Sequence, residues 1–325
     1  MSSGRQPVDC HRRAHTGGRN GGRWRTDLEA YVRRAETELL AGRFGEAFAT
    51  HRRGIVAFLA PVQPDVATAI DGLYAEQLAH DGNSLAALSG ASFARWVFSD
   101  YLGAIELLDV LLTIQPDDVY GTLFRGSSRV LHGADVAAGL RDLERAIELE
   151  PTSPDVRYVV ADALAYGPRP DPKRALEEAD RALQGGLDTP RVHAIIAATH
   201  LAFGDHAIAG AHFARHLDLV TTELRTTEPL ESGASLAVDV VPGRVWQVPL
   251  PASAGEAISV ATTSTDVADS IAVLLAPDGS AVTGGEDEAG SFAAVSWEAT
   301  STGTYRLRVA SFEAVETGTL EVTRA

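Results

Sequence analysis

Small residues recur about every 35 positions along the middle of the chain, at Ala104, Gly139, Ala175 and Ala209, each just after a helix-breaking turn. Each one opens a run whose apolar residues fall at helical spacing. A period of this length confines the chain to stacked helix-turn-helix units. One pair of helices cannot bury its apolar face alone, so neighbouring pairs must pile up and share a continuous core. The small residue has a geometric reason: helices packed about 8–10 Å apart need a place where their backbones can approach.

Ordered structure is expected to begin at Thr26, which stands at capping-box spacing from Glu29 and leads into a helix over 28–41 closed by Gly42. A second helix starts near Gly45. The step from Ala47 to Ala104 is not a multiple of the period, and Val66, Ile70, Leu73, Tyr74 and Leu78 share one helical face, so an inserted helix is expected near 64–80. From Leu85 the register is regular. The stretches LSGASFARWVFSDYLGAIELLDVLLTIQP, LERAIELEP, VRYVVADALAYG with RALEEADRAL, and VHAIIAATHLAFGD with AIAGAHFARHL resemble tetratricopeptide repeats. The likeness lies in Tyr101 at the turn, Ala104 at the tight crossing, Gly126 at the small position, and Pro116 and Pro151 at unit exits. GPRPDP at 167–172 departs from the pattern. The resemblance covers the helical region 26–220 and implies an all-α solenoid whose first helix of each pair lines a concave groove. On that mapping Phe93, Trp96, Tyr120, Leu123, Tyr158, Asp162 and Arg191 are the candidate partner-binding residues.

A Thr- and Glu-rich segment, 221–232, reads as a linker, after which the composition changes. Residues 233–325 hold short alternating runs (LAVDVV, RVWQVPL, AISVATT, SIAVLL, FAAVSWEA, TYRLRVAS, TLEVTRA) separated by Pro, Gly and Asp turns. Seven or eight such strands argue a β-sandwich. Trp246, Val248 and Leu250 fall on one face, as do Tyr305, Leu307 and Val309, which leaves Arg306 and Arg308 to water. The order VWQVPLP, SIAVLLAPDGS, GTYRLRV and GTLEV resembles the bacterial pre-peptidase C-terminal domain, which implies a jelly-roll-like module. The fold class expected is therefore multidomain, a tetratricopeptide-type solenoid followed by an all-β jelly-roll-like sandwich.

The formal net charge is −16, yet residues 1–25 carry six arginines against one acid. An acidic body repels nucleic acid and anionic lipid, so nucleic-acid contact is expected only through this Gly/Arg-rich tail, which reads as disordered. No apolar run is long enough to span a membrane, and the Arg12-Arg13 pair lacks the apolar segment of an export signal. The expected location is cytoplasmic. The single cysteine, Cys10, excludes an intrachain disulfide.

Catalytic patterns are missing: no GK[ST] loop, HExxH, GxSxG or CxxC occurs, and Lys173 is the only lysine. No enzyme activity and no cofactor are expected. His193, His200, His206, His212 and His216 crowd the last helix pair, but three of them hold packing positions in the repeat register. They read as core or capping histidines rather than metal ligands, and Asp269 with Glu286, Asp287 and Glu288 as a solvated acidic turn rather than a calcium site. The expected function is a non-enzymatic scaffold or adaptor that grips a protein or peptide, accessory to a bacterial peptidase. The alternative is an envelope or extracellular adhesion protein whose sandwich binds polysaccharide or protein.

Overall fold

The computed structural model describes residues 74–241, 243–265, 267, 269–286, 293–312 and 318–325, with isolated positions between 34 and 72. The basic tail 1–25 lies outside the described residues, as do most of the helices expected over 28–41 and 64–80. Thr37 and Glu38 are helical, and so is 74–80.

Eight helices follow one another from residue 85: α1 Leu85–Val97, α2 Tyr101–Ile114, α3 Val119–His132, α4 Val136–Leu149, α5 Pro154–Tyr166, α6 Pro172–Gln184, α7 Pro190–Phe203 and α8 His206–Val220. Seven of them start at a Ser, Thr or Asp whose side-chain oxygen accepts from the backbone N–H three residues on; α8, at Asp205, is the exception. GPRPDP only lengthens one turn, because Asp171 caps α6 with Pro172 at its first position.

Each helix packs on the next, and α1 packs on α3, α3 on α5 and α5 on α7. Among the described residues no helix packs extensively on one more than two places along, which is the contact pattern of a stack and not of a closed bundle. The repeat positions do what their spacing implies. Ala104, Ala175 and Ala209 are fully buried, and Gly139 lies against Gly126 so closely that a Cβ on either would meet the other's carbonyl oxygen within 3 Å. Gly126→Val should therefore wedge α3 from α4 and destabilise the chain by about 1–3 kcal/mol, readable in urea melts. Charges reinforce the same joint. Arg125 forks onto Asp142, Arg129 donates to it as well, and both reach Asp109, tying α2, α3 and α4 together.

The strands form two sheets. β1 Glu223–Thr226, β3 Arg244–Ala252, β8 Gly303–Ser311, β5 Ser270–Leu275 and β6 Ala281–Glu286 lie in that order; β2 Ser235–Val240, β9 Gly318–Arg324, β4 Ala257–Thr263 and β7 Ala294–Glu298 make the other. From β2 to β9 the pairing is antiparallel and alternates between the sheets as in an eight-stranded jelly roll. Val248, Leu250, Tyr305, Leu307 and Val309 fill the core between them, with Trp246 packed at its margin. The segment read as a linker is not free: β1 pairs in parallel with β3 from Glu223–Arg244 to Thr226–Gln247.

Helix and sheet share a second core. All six residues of β5 are buried, Ala272 and Leu274 toward the other sheet and Ile271, Val273 and Leu275 toward the last helix pair, beside Ala194, Ala197, Phe213 and Leu217. Its unbroken apolar run is the mark of a strand covered on both faces. β6 reaches α8 through two glycines: a Cβ on Gly210 would meet the Thr283 backbone at 3.0 Å, and one on Gly284 the Phe213 ring at 2.7 Å. Arg308 faces this junction and Arg306 the β5–β6 turn, and both are half-buried. Arg306 donates to the carbonyls of Ala276 and Pro277, and Arg308 to Asp218 of α8 at 2.8 Å. Among the described residues no helix is long and apolar enough to cross a membrane.

Candidate functional site

The structure does not leave the seven groove candidates on one open face. Phe93, Tyr120, Leu123 and Asp162 are buried, none more than 7% exposed. Phe93 stacks on Trp96 and tilts against Phe124, so these rings join α1 to α3. The Trp96 indole N–H donates to Ser127 at 2.9 Å. Asp162 accepts from Arg191, whose guanidinium lies over the rings of Tyr166 at 4.9 Å and Phe312 at 5.6 Å, at the seam between helices and sandwich. Helical register identifies the inner side of each pair; it does not reveal how completely that side is packed. Trp96, Tyr158 and Arg191 are the three candidates that keep partial solvent access.

Beneath Tyr120, Asp118 caps α3 through the Gly121 N–H at 2.9 Å while only 1% exposed. Burial pushes its carboxyl up to about 6 against the pull of its backbone donors. Between pH 4 and 6 the folded chain then holds more protons than the unfolded chain, so this group's favourable contribution is present at pH 4 and lost as pH rises through about 6. Asp118→Asn keeps the cap oxygen without the buried charge. It should gain about 2 kcal/mol at pH 7 and nothing near pH 4, checked by denaturant melts at both values.

Large apolar side chains stand out elsewhere. Leu102, Val110 and Ile114 of α2 are 53%, 41% and 41% exposed. At 100° per residue they span a face about 120° wide. Tyr166 and Phe203, at the ends of α5 and α7, and Ile208 of α8 are also exposed.

The histidines of the last helix pair are brought together in part. His193 of α7 and His212 of α8 set their Nδ1 atoms 2.8 Å apart, and the other nitrogen of His193 lies 2.8 Å from Asp188, which Arg215 also holds. A carboxylate only accepts, so His193 carries a proton on Nε2; with that ring neutral its Nδ1 accepts, and His212 donates from Nδ1. His212 is pushed down to about 4 by burial, then by His193 and His200, and is neutral at pH 7. His200 stacks on His212 with centroids 6.5 Å apart and bonds Asp205. His216 is separate: its nitrogens lie 2.9 and 2.7 Å from the carbonyls of Pro190 and Phe312, pinning α8 to α7 and to the sandwich. Burial holds its pKa below the usual value although both carbonyls favour the cation. Among the described residues no group of three His, Cys, Asp or Glu side chains converges on one point. Glu286, Asp287 and Glu288 lie outside the described side chains.

A scan of protein-family models finds no match, and neither does a search of curated protein sequences. Solved structures do show likeness. A tetratricopeptide repeat protein of Thermus thermophilus, TTC0263, is 16% identical, over 59% of this chain and 91% of its own, with a TM-score of 0.40. MamA of Desulfovibrio magneticus is 17% identical over 59% and 94%, with a TM-score of 0.36. The pre-peptidase C-terminal domain of a Bacillus anthracis collagenase is 12% identical over 31% and 95%, with a TM-score of 0.27. The fold itself rests on the helix pairing and strand order within this chain, which make it a stacked helical array closed by a jelly-roll sandwich.

Proposed function

We propose that the chain is a non-enzymatic protein-binding scaffold whose helical stack is the recognition surface. The observation that carries this reading is the row Leu102, Val110 and Ile114, three large apolar side chains left to solvent along the single helix α2. Water-exposed apolar groups on a rigid helix gain most from burial against a partner, each worth about 1.5–3 kcal/mol when fully covered. Trp96, Tyr158 and Arg191 are the positions of the expected groove that retain access to a partner; Phe93, Tyr120, Leu123 and Asp162 support the stack from inside. The resemblance of the sandwich to the pre-peptidase module makes a bacterial peptidase the first partner class to test.

The test is affinity purification from native cells with the wild type and with a Leu102→Ser, Val110→Ser, Ile114→Ser triple variant. These side chains are only half covered, at 53%, 41% and 41% exposed, so the variant should stay folded with a melting temperature lowered by only a few degrees, about 5 °C. Loss of a specific captured protein by the triple variant supports the reading. Equal capture by both proteins counts against α2 as the surface.

A further inference from the structure

We propose that His193 and His212 form a binding site for a divalent transition-metal ion of the zinc, nickel or copper class, held between their Nδ1 atoms. The two imidazoles come from paired antiparallel helices, so their backbones are fixed by the packing of α7 on α8 rather than by a flexible loop. His193 is 6% exposed, and its Nδ1 points at the Nδ1 of His212 across 2.8 Å. The rings meet almost head-on, with centroids 5.0 Å apart; two bonds of about 2.0–2.1 Å at a tetrahedral angle would set these nitrogens about 3.3 Å apart, so an opening of roughly half an ångström, with both rings turning until their lone pairs converge, admits an ion.

The surroundings are those of a ligating histidine. Asp188 accepts a hydrogen bond from the Nε2–H of His193 at 2.8 Å, which in the neutral ring fixes the tautomer with a lone pair on Nδ1 and raises the basicity of that nitrogen. Arg215 in turn holds Asp188. His212 becomes a ligand by moving its proton from Nδ1 to Nε2, so that ring gives up no proton on binding. Imidazole nitrogens favour zinc, nickel and copper over magnesium or calcium. The protein supplies two donors, and water fills the remaining positions.

The ion would cross-link the helix pair that carries the sandwich. The stiffness of that joint would then follow metal concentration, a property separate from whichever surface binds a partner. Arg215 and Asp188 face the site from α8 and from the turn before α7, and His200 with Asp205 from the end of α7 and the turn beyond it.

The experiment is thermal unfolding of the full chain, stripped with EDTA, in zinc, nickel or magnesium chloride. At about ten times the dissociation constant of the ion, zinc and nickel should raise the midpoint by roughly 2–5 °C and magnesium should leave it unchanged. His193→Gln and His212→Gln should each abolish the rise; His206→Gln, an exposed neighbour, should keep it. The readout is the metal-induced shift, which remains defined where a variant melts earlier, and circular dichroism confirms that each is folded. Nitrogen-15 histidine spectra should show Nδ1 of both rings shifting with zinc. No midpoint shift, or a shift retained by both His193→Gln and His212→Gln, would leave a shared proton as the whole role of the pair and overturn the proposal.

Discussion

Phe213→Ala is expected to cost about 3–5 kcal/mol and to split one unfolding transition into two. Phe213 is fully buried on α8 in the core shared by helices and sheet, with the backbone of Gly284 against its ring. Its removal opens a cavity bounded on one side by β6, held close by two glycines that have no side chain to fill the space. The sandwich retains its own core between the sheets, and the helices retain theirs from α1 to α6. Loosening the joint should therefore uncouple two bodies that still fold. Scanning calorimetry reads this as a lower, biphasic transition. A single transition at the wild-type temperature would show that the shared core contributes little.

Arg324→Ala should cost about 3 kcal/mol, an effect unusual for a charged residue one place from the end of the sequence. Arg324 is only 1% exposed. Its guanidinium donates to the carbonyls of Leu230 and Pro251 and to Glu256, joining β9 to the segment after β1 and to the end of β3. Without it a buried carbonyl, that of Leu230, and the half-buried one of Pro251 lose this donor. Arg324→Lys should recover only part of the loss, because one ammonium cannot match the planar fork that reaches all three acceptors. Urea melts of the two variants check both statements.

Much of the architecture was legible because it depends on period. The 35-residue recurrence located the tight crossings at Ala104, Gly139, Ala175 and Ala209, and strict alternation located the strands of the sandwich. What escaped was tertiary layering. β1, with the sequence ELRT, is short and polar, and no pattern within it shows that β3 offers a free edge. Arg306 and Arg308 alternate with core residues, so they read as solvent-facing until a helix covers that side. The run SIAVLL, read with the alternating strands, is apolar from its second residue on; that is the signal of a strand buried on both faces, and alternation alone passed over it. Four of the seven groove residues are buried for a related reason. Aromatics such as Phe93 and Tyr120 at inner positions suit recognition and packing equally, and here they pack. The histidine pair was visible only as crowding, since spacing along two helices does not fix which ring nitrogens meet.

Hydrogen exchange on the complex recovered from native cells tests most directly whether the helical stack is the binding surface. The account expects partner-dependent slowing of amide exchange in α2, at 101–114, and in the adjoining turns, with the strands of β2, β4, β7 and β9 unchanged. Slowing confined to those strands, with α2 exchanging as it does in the free protein, would contradict it.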